Sequence, residues 1–393
     1  MTEPPSAAKR PTLSLVIPTK DRYATLLPTL SAILSHINDP ALEVIVHDNS
    51  ADNTPALEFL DSLDDDRVVY VHLPQPVSII ENTEPALALA RGDFVTFIGD
   101  DDLVAPDIVS VARSLSTAGV EAAIYKPAYW WWPSVVFSKP SRFNAPGAFW
   151  YPPAINGAAR LIDSRAELAR VLAEGAPAMF ELPRLYHGLV ARSALERLRN
   201  RTGRLVNGAS PDMALATGLA CVLDRHLLID YPLTIYGASR DSGGGWTAAR
   251  KHHGRIADQK HLPRSTIENW NPRLPPVWSE HTIYPQTVGE VMTAMGMPDS
   301  IDYAAFYASM LVNEPHLRSM LWPLAMGHLR EHPKALGRFV GSLLKKAAGQ
   351  TKRSFQRRFS EMPFHLRMFD SPDSCMHFLS TVSCDLRRIR DAP

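Results

Sequence analysis

The chain has 393 residues, which is long enough for two domains or for one large domain with an added subdomain. Hydrophobic residues make up 45% of it and charged residues 21%, as in an ordinary soluble globular protein. The 41 lysines and arginines balance the 41 aspartates and glutamates, so the net charge gives no reason to expect a nucleic-acid partner.

Cysteine usage and hydropathy exclude further classes. Three cysteines without a CxxC spacing argue against a disulfide scaffold or a zinc knuckle and favour a reducing compartment. The sequence contains no run of about 18 apolar residues, so it predicts no membrane-spanning helix. Residues 1–11 lack the apolar core of a secretory signal, and we expect a short disordered lead on a cytoplasmic protein.

From Leu13 the chain alternates apolar runs with segments of helical periodicity. Strands are predicted at 13–18, 42–48, 67–73 and 94–98. Helices are predicted at about 26–37, 54–62, 82–91 and 106–117. This alternation predicts right-handed βαβ units, and hence a Rossmann-like α/β domain with a mostly parallel sheet flanked by helices.

Beyond residue 126 the pattern is less regular. Further elements are expected before a glycine-rich segment at 237–245, namely helices at 164–173 and 213–223 and strands at 188–191 and 227–236. From about residue 260 onward the pattern is mostly helical. We therefore divide the chain into the lead, an α/β domain at 12–255 and a mostly helical C-terminal region at 256–393.

Two aspartate triplets differ in where they stand relative to a strand. Asp100, Asp101 and Asp102 follow the apolar strand 94–98, whereas the triplet 64–66 precedes a strand. In open α/β sheets ligands bind beyond the carboxyl ends of the strands, so the earlier triplet is interpreted as a solvated turn. Adjacent carboxylates at the end of a buried strand repel one another unless a cation neutralises them, and hard oxygen ligands select Mn²⁺ or Mg²⁺.

Three successive motifs resemble the signatures of family 2 glycosyltransferases of the GT-A fold: SLVIPTKDR, EVIVHDNSADNT and ARGDFVTFIGDDDLVAPD. The resemblance covers about residues 12–110 and, more loosely, 205–245. It implies transfer of a sugar from a nucleotide-diphosphate sugar, UDP-linked as first expectation, to a glycan or lipid-linked acceptor with inversion at the anomeric carbon. Processive members carry a Gln-x-x-Arg-Trp signature, which does not precede Trp246, so polymerisation is not expected.

The resemblance assigns the donor nucleotide to residues at the ends of the first two strands. Pro18, Thr19 and Arg22 match the loop that wraps the nucleoside, and Asp48 matches the aspartate that accepts a hydrogen bond from the base. A simple strand-to-helix turn and an Asx turn are the structural alternatives. The segment after Asp48 departs from the family's usual Asp-Gly, which leaves the ribose contact and the identity of the base open.

Three further residues are candidates for contacts with the same nucleotide. Asn82 and Arg91 lie on the helix before the acidic triplet, where related enzymes place polar residues that reach the base or the phosphates. Arg240 lies in the glycine-rich loop, which would close over the diphosphate. The alternatives are solvated helix positions for Asn82 and Arg91 and a surface loop for Arg240.

The acidic triplet matches the family's Asp-x-Asp element. Aligned on Pro106, Gly99 replaces the first acidic position of the commoner form. The resemblance then implies Asp100 and Asp102 as metal ligands, with Asp102 the better one, and Asp100 and Asp101 as donor-binding residues. The metal would bridge the two phosphates and neutralise charge on the departing nucleoside diphosphate.

Asp212 is the candidate general base. It follows Ser210 and Pro211 at the start of an apolar helix, and the family carries an acidic residue in this context. A positioned carboxylate that takes the proton of the acceptor hydroxyl contributes roughly 10²–10⁴-fold to the rate. The alternative is a helix-start aspartate that the helix dipole stabilises.

The remaining motifs concern the acceptor and the membrane. The aromatic run 129–132 is interpreted as an acceptor wall, with burial in the core as the alternative. Residues 338–358 are basic with interleaved apolar positions, which fits a peripheral contact with the inner face of an anionic membrane; a helix packed on the catalytic domain is the alternative. His252, His253 and His261 stand among basic residues and are interpreted as a solvated stretch.

Two other functions stay open at this point. A sugar-phosphate nucleotidyltransferase of similar fold usually has a glycine-rich loop after its first strand, but residues 18–22 contain no glycine. A nucleotide-sugar-binding protein without turnover would be favoured if Asp212 pointed away from the crevice.

Overall fold

The structure is a computed structural model of the chain, and it describes residues 10–153, 155–249, 254–259, 262–359 and 364–391. For 351–359 it describes the backbone alone. Most of the expected lead (1–9) and the stretch with His252, His253 and His261 lie outside the described residues.

Strands and helices alternate through the N-terminal part of the chain, as the periodicity predicts. The strands are β1 Leu13–Thr19, β2 Leu42–Asp48, β3 Val68–His72, β4 Phe94–Phe97, β5 Leu103–Val104, β6 Ala122–Tyr125, β7 Ala128–Trp131, β8 Ala148–Tyr151, β9 Ala159–Asp163, β10 Gly188–Ala191, β11 Arg225–Ile229, β12 Thr234–Ala238, β13 Gly254–Arg255, β14 Val277–Trp278 and β15 His365–Met368. The helices are α1 Tyr23–His36, α2 Thr54–Leu63, α3 Ile79–Ala88, α4 Ile108–Thr117, α5 Ser164–Ala173, α6 Arg192–Thr202, α7 Pro211–Val222, α8 Gly243–Ala248, α9 Arg264–Glu268, α10 Glu280–Ala294, α11 Tyr303–Asn313, α12 Arg318–Glu331, α13 Leu336–Phe359, α14 Pro372–Ser380 and α15 Leu386–Arg390. Short 3-10 helices lie at Ile256–Asp258, Pro315–Leu317 and Pro333–Ala335.

The larger sheet has the strand order β3-β2-β1-β4-β10-β6-β11-β9. Its first four strands are parallel, and β6 is parallel to β11. β10 runs antiparallel to β4 and β6, and β9 runs antiparallel to β11. The predicted fold, a mainly parallel α/β sheet flanked by helices, is confirmed, and so are the helix at 164–173 and the strand at 188–191.

Helices cover both faces of the larger sheet, and the central strand β1 has apolar side chains on both faces. Leu15 and Ile17 belong to a buried cluster with residues of α1 and α4. Val16, which points to the opposite face, belongs to a cluster with residues of α3 and α7. A continuous apolar run of this kind is typical of a central strand in a parallel sheet.

A smaller sheet, which the sequence pattern does not predict, has the order β15-β8-β7-β12-β5. Its strand β15 comes from the C-terminal region and pairs antiparallel with β8. The same region returns to α1, where His36 Nε2 lies 2.9 Å from Asp373 Oδ1. The C-terminal region is mostly helical, as expected, and the boundary at 255 stays a prediction, since the chain beyond it packs back onto the α/β sheet.

None of the helices in the described ranges combines the length and apolar character needed to cross a membrane.

His226 on β11 is a buried neutral imidazole. In the tautomer that satisfies both neighbours, Nε2–H donates to the carbonyl of Glu181 (2.7 Å) and Nδ1 accepts from the hydroxyl of Ser164 (2.9 Å). Burial lowers the pKa of His226 from its ordinary 6.5 to about 4. The unfolded chain therefore takes up a proton near pH 6.5 that the folded chain does not, and stabilisation present above that pH is lost as the pH falls towards 4.

We predict that His226→Gln removes this pH dependence while an amide replaces the donor to Glu181. Between pH 7 and pH 5, the wild type should lose roughly 2 kcal/mol more of its free energy of unfolding than the variant. Urea denaturation at both pH values measures the difference. His377→Gln, which replaces an exposed histidine, is the control, and equal pH dependence in wild type and His226→Gln would contradict the prediction.

Candidate active site

A cavity of about 620 Å³ opens at the edge of the larger sheet where β1 and β4 end. The N-terminal residues of α3 and α7 and the loop after β12 form its other walls. It brings together the predicted site residues Pro18, Thr19, Arg22, Asn82, Asp100, Asp101 and Asp212. Ligands of open α/β sheets bind beyond the carboxyl ends of the strands, so this cavity is the candidate site.

Arg22 lies between two carboxylates of the acidic triplet. Its guanidinium nitrogens lie 2.9 Å from Asp100 Oδ1 and 2.9 Å from Asp101 Oδ2, and one of them donates to Ser239 Oγ at 2.9 Å. Thr19 Oγ1 donates to the other oxygen of Asp100 at 2.6 Å. Burial lowers the pKa of Arg22, but the nearby carboxylates outweigh burial and raise it above its ordinary value.

Negative charge is in excess at this edge of the sheet. Burial and the neighbouring Asp101 raise the pKa of Asp100 to about 7 although Arg22 opposes them, and burial also raises the pKa of Asp101. Asp100 Oδ1 accepts no hydrogen bond of good geometry among the described residues, and Asp100 is 2% exposed. Hard carboxylate oxygens with spare lone pairs suit Mg²⁺ or Mn²⁺.

The chain does not supply a complete coordination shell for such an ion. Within the described residues no group of three or more His, Cys, Asp or Glu side chains is arranged to hold a metal. Mg²⁺ is usually bound through one or two carboxylates, with waters and substrate phosphates as its other ligands. Asp100 and Asp101 therefore fit a metal that arrives with a phosphate-bearing ligand.

Asp102 lies beneath the cavity instead of lining it. Its Oδ1 accepts from Gly237 N–H (2.7 Å), and its Oδ2 accepts from Gly99 N–H (2.7 Å) and from the hydroxyl of Tyr186 (3.0 Å). His187 Nε2 lies 3.0 Å from the same Oδ2. The expectation that Asp102 is the better metal ligand therefore needs correction, because Asp102 does not line the cavity and its carboxylate already accepts three hydrogen bonds from the protein.

Asp212 lies at the start of α7 on the wall of the cavity. Its Oδ1 accepts a hydrogen bond from Ser210 Oγ, and its Oδ2 accepts one from the hydroxyl of Tyr284 at 3.2 Å. Tyr284 belongs to α10, so the C-terminal region contributes to the site. The carboxylate is half-buried, and it is oriented by two hydroxyl donors.

Comparison with known proteins identifies the N-terminal part of the chain. Residues 14–158 match the model of the glycosyl transferase family 2. The match covers less than half of the chain and concerns this N-terminal part alone. The resemblance of the three sequence motifs to this family is thereby confirmed.

The similarity to individual proteins is partial. An uncharacterized protein, y4gI, of Sinorhizobium fredii is 30% identical over 124 residues, which is 30% of this chain and 14% of that protein, so the chain spans a small part of the relative. The fragment 1–349 of S. aureus TarS, solved with UDP-GlcNAc, has 13% identity and a TM-score of 0.43, with 83% of this chain and 92% of the fragment covered. The longer TarS structure is covered over 54% of its chain. The mannosyltransferase PcManGT of Pyrobaculum calidifontis, solved with GDP-Man and Mn²⁺, has 17% identity and a TM-score of 0.38, with 87% of each chain covered.

Asp48 lies behind the cavity wall. Its Oδ2 accepts from the hydroxyls of Tyr23 (2.5 Å) and Tyr70 (2.7 Å), and its Oδ1 accepts from Ser50 N–H (2.8 Å). Burial and the hydrogen bond to Asp48 raise the pKa of Tyr23 to about 12. Asn49, the next residue, does line the cavity. A contact between Asp48 and the base stays a prediction, and it would require a rearrangement of this tyrosine pair.

Asn82 joins α3 to the ends of β1 and β2. Its side-chain oxygen lies 2.6 Å from His47 Nδ1, and its amide donates to the carbonyl of Thr19 at 3.1 Å. Ser78 caps the helix through a capping box with Glu81, so the N-terminus of α3 is fixed at the cavity. Asn82 is therefore placed to shape the donor site, and direct contact with a nucleotide stays a prediction.

Two predicted nucleotide-binding arginines lie elsewhere. Arg91 donates through Nε to Glu43 Oε2 (2.6 Å) at the amino end of β2, on the opposite edge of the sheet from the cavity. This placement contradicts the expected contact, so Arg91 does not belong to the proposed donor site. Arg240 is exposed and donates to the carbonyl of Ser134 at 3.3 Å, and it does not line the cavity. A role in phosphate binding for Arg240 stays a prediction that would require the loop to move.

The aromatic run 129–132 is mostly core. Trp130 is 0% exposed and Trp132 is 7% exposed. Trp132 Nε1–H donates to the carbonyl of Asp101 at 2.8 Å, so this tryptophan positions the acidic loop. The half-buried Trp131 packs against Phe137. The interpretation of the whole run as an acceptor wall was therefore wrong for Trp130 and Trp132.

Sequence patterns do not identify three residues that complete the site: Tyr186, His187 and Tyr284. The polar pair Tyr186-His187 stands directly before the predicted strand 188–191, and an edge position of that kind is the one available signal. His187 also has a φ of 55°, which is uncommon outside glycine. Tyr284 lies in the region that the sequence predicts as mostly helical, where nothing distinguishes it from a core residue.

Gly237 allows β12 to approach the acidic loop. A Cβ at this position would lie 1.7 Å from the carbonyl oxygen of Asp101, so the loop would have to move. We predict that Gly237→Ala lowers the stability by roughly 1–3 kcal/mol and weakens donor binding. Thermal unfolding and a nucleotide titration measure the two effects.

Gly289→Ala is the matched control for this prediction. Gly289 lies within α10, and a Cβ there meets nothing within 4 Å. The control should be neutral or stabilising by up to about 1 kcal/mol, since alanine is the better helix former. Equal effects of the two substitutions would contradict the role of Gly237.

Proposed function

We propose that the chain is a metal-dependent, inverting, non-processive glycosyltransferase that uses a nucleotide-diphosphate sugar, UDP-linked as first expectation, and a glycan or lipid-linked acceptor. One observation carries the proposal: the carboxylates of Asp100 and Asp101 and the carboxylate of Asp212 line the same cavity at the carboxyl edge of the sheet. The family 2 match over residues 14–158 supports it. A nucleotidyltransferase is disfavoured by the same match, and a binding protein without turnover is disfavoured by the position of Asp212 in the cavity.

The proposed roles follow from the contacts. Asp100 and Asp101 would hold Mn²⁺ or Mg²⁺ against the diphosphate, and the metal, when bound, neutralises charge on the departing nucleoside diphosphate. Asp212 would take the proton of the acceptor hydroxyl as its oxygen forms the bond to the anomeric carbon. The bond from that carbon to the phosphate oxygen breaks at the same time, and attack from the opposite face inverts the anomeric centre.

Residues 338–358 are proposed to contact an anionic membrane surface from the cytoplasmic side. On the described part of α13, Leu336, Val340 and Leu344 form an exposed apolar row at helical spacing, with exposed fractions of 53%, 44% and 65%. Lys345 and Lys346 are ion-paired with Glu174, which directly follows α5. The apolar row is therefore the stronger support for this contact in the described residues.

Thermal stabilisation across a panel of nucleotide sugars, with MnCl₂ or with EDTA, tests the proposal. A donor should raise the melting temperature with Mn²⁺ and much less with EDTA, since ligand bound to the folded state adds stability. The productive donor should then be cleaved slowly in water, and ¹H NMR should show the released sugar first as the anomer opposite to that of the donor. If no donor raises the melting temperature in a Mn²⁺-dependent way, the proposal is wrong.

A further inference from the structure

Arg22 forms ion pairs with both cavity carboxylates, Asp100 and Asp101, but the hydrogen-bond geometry of these contacts is imperfect. Asp100 Oδ1 accepts no hydrogen bond of good geometry although a guanidinium nitrogen lies 2.9 Å away. Arg22 Nε also has no acceptor within the described residues. The side chain keeps 23% of its surface exposed, at the cavity. The contact between Arg22 and Asp100 is therefore mainly electrostatic.

The contrast with a surface pair of the same residue types is informative. Arg113 donates to both oxygens of Asp39, at 2.6 and 2.8 Å, in the bidentate arrangement that arginine prefers. Arg22 instead divides its two nitrogens between two different carboxylates. A guanidinium held in this way has more to gain from a new bidentate partner than one that is already paired.

We propose that Arg22 competes with the divalent cation for Asp100 and Asp101, and that the diphosphate of the donor removes this competition by pairing with Arg22. The inference rests on the proposed function, because it takes Asp100 and Asp101 as the metal-binding carboxylates. Mg²⁺ needs oxygen ligands at about 2.0–2.1 Å, and the guanidinium already lies 2.9 Å from one oxygen of each of these carboxylates.

The consequence is an order of binding. Without a donor, the metal must displace a paired arginine and stay close to its positive charge, so it binds weakly. With a donor, the phosphate oxygens bind the displaced guanidinium bidentately and ligate the metal, so the two ligands bind cooperatively. The site therefore takes up metal as a metal–nucleotide pair and resists loading by metal alone.

Titration of Mn²⁺ followed by its EPR signal, with and without UDP, tests the competition directly. Arg22→Gln should bind Mn²⁺ alone more tightly than wild type, by about 5–150-fold, and should bind UDP more weakly in EDTA. Arg22→Lys keeps the positive charge and should stay close to wild type with Mn²⁺ alone. Adding Asp101→Asn to Arg22→Gln should abolish the gain, which locates the extra affinity at this site.

Arg91→Gln is the matched control, because it removes an arginine from an ion pair with Glu43 at the far edge of the sheet. It should leave Mn²⁺ affinity unchanged. Equal or weaker Mn²⁺ binding by Arg22→Gln would overturn the inference and leave Arg22 as a residue that only holds the carboxylates in place. If Arg22→Lys also bound Mn²⁺ more tightly than wild type, the positive charge of Arg22 would not be the cause of the competition.

A second measurement uses the wild type, in case Arg22→Gln does not fold. Modification of Arg22 by phenylglyoxal, followed by peptide mass spectrometry, should be faster with Mn²⁺ alone and slower with Mn²⁺ plus UDP. An unchanged rate with Mn²⁺ would contradict the competition. Both measurements report metal binding and not sugar transfer, so a chain that shows the competition but transfers no sugar would overturn the proposed function alone.

Discussion

Asp212→Asn is expected to lower the rate of sugar transfer by roughly 10²–10⁴-fold while leaving donor affinity nearly unchanged. The amide is the same size as the carboxylate but cannot take the proton of the acceptor hydroxyl. The hydrogen bonds of Asp212 join it to Ser210 and Tyr284 and not to the proposed diphosphate-binding residues, so the loss should appear in kcat and not in donor binding. Steady-state kinetics and a donor titration, carried out on the same preparations, measure the two quantities.

Two further variants separate catalysis from structure. Tyr284→Phe removes the hydroxyl that donates to Asp212 Oδ2 at 3.2 Å but leaves the carboxylate, so it should cost about tenfold in kcat. Asp241→Asn replaces an exposed aspartate in the loop after β12 and should have no effect. If Asp212→Asn lowers the melting temperature or abolishes donor binding, Asp212 is a helix-start residue and the assignment as base fails.

The parts of the fold that the sequence predicts are those with local signals. The apolar run at Leu13 predicts a buried central strand, and the position of Asp100 and Asp101 after the strand 94–98 predicts their place at the cavity. The contrasting triplet 64–66 is confirmed as a turn, since it lies between α2 and β3 and Asp64 and Asp66 are exposed. Both predictions need only the direction of one strand and the residues next to it.

The parts that the sequence does not predict depend on contacts between distant segments. Two donors to Asp102, Tyr186 and Gly237, lie 84 and 135 positions further along the chain, and no local pattern shows that these segments meet. A hydrogen bond to Glu43, which lies 48 positions earlier in the chain, holds Arg91 away from the site. The smaller sheet depends on pairing of β8 with β15, whose strand is contributed by the C-terminal region.

Asp101→Asn and Asp102→Asn are expected to lose different properties, although the two residues are adjacent: Asp102→Asn loses stability, and Asp101→Asn loses the stabilisation by Mn²⁺ with donor. Asp102→Asn places an amide among N–H and O–H donors in a fully buried position, and should cost roughly 3–5 kcal/mol of stability. Asp101→Asn should leave stability in EDTA unchanged or slightly raised, but should abolish the stabilisation by Mn²⁺ with donor. Thermal unfolding in EDTA, and then with Mn²⁺ and donor, measures both effects.

Asp66→Asn, an exposed residue of the earlier triplet, is the control and should change neither quantity. Normal stability of Asp102→Asn together with loss of the Mn²⁺ effect would restore Asp102 as the ligand. Loss of stability in Asp101→Asn without metal would show that Asp101 has a structural role instead.

The reason for the opposite outcomes is how each charge is balanced by the protein. Burial alone raises the pKa of Asp102, but His187 and the N–H groups of Gly99 and Gly237 outweigh burial and hold it below its ordinary value. The fold therefore favours the ionised form of Asp102 and depends on it. Burial raises the pKa of Asp101 above its ordinary value in spite of Arg22, so its ionised form costs free energy in the folded chain without metal. A buried carboxylate whose charge the protein balances only in part is the one that gains from a cation, which is why the metal is expected at Asp101 and its partner Asp100 and not at Asp102.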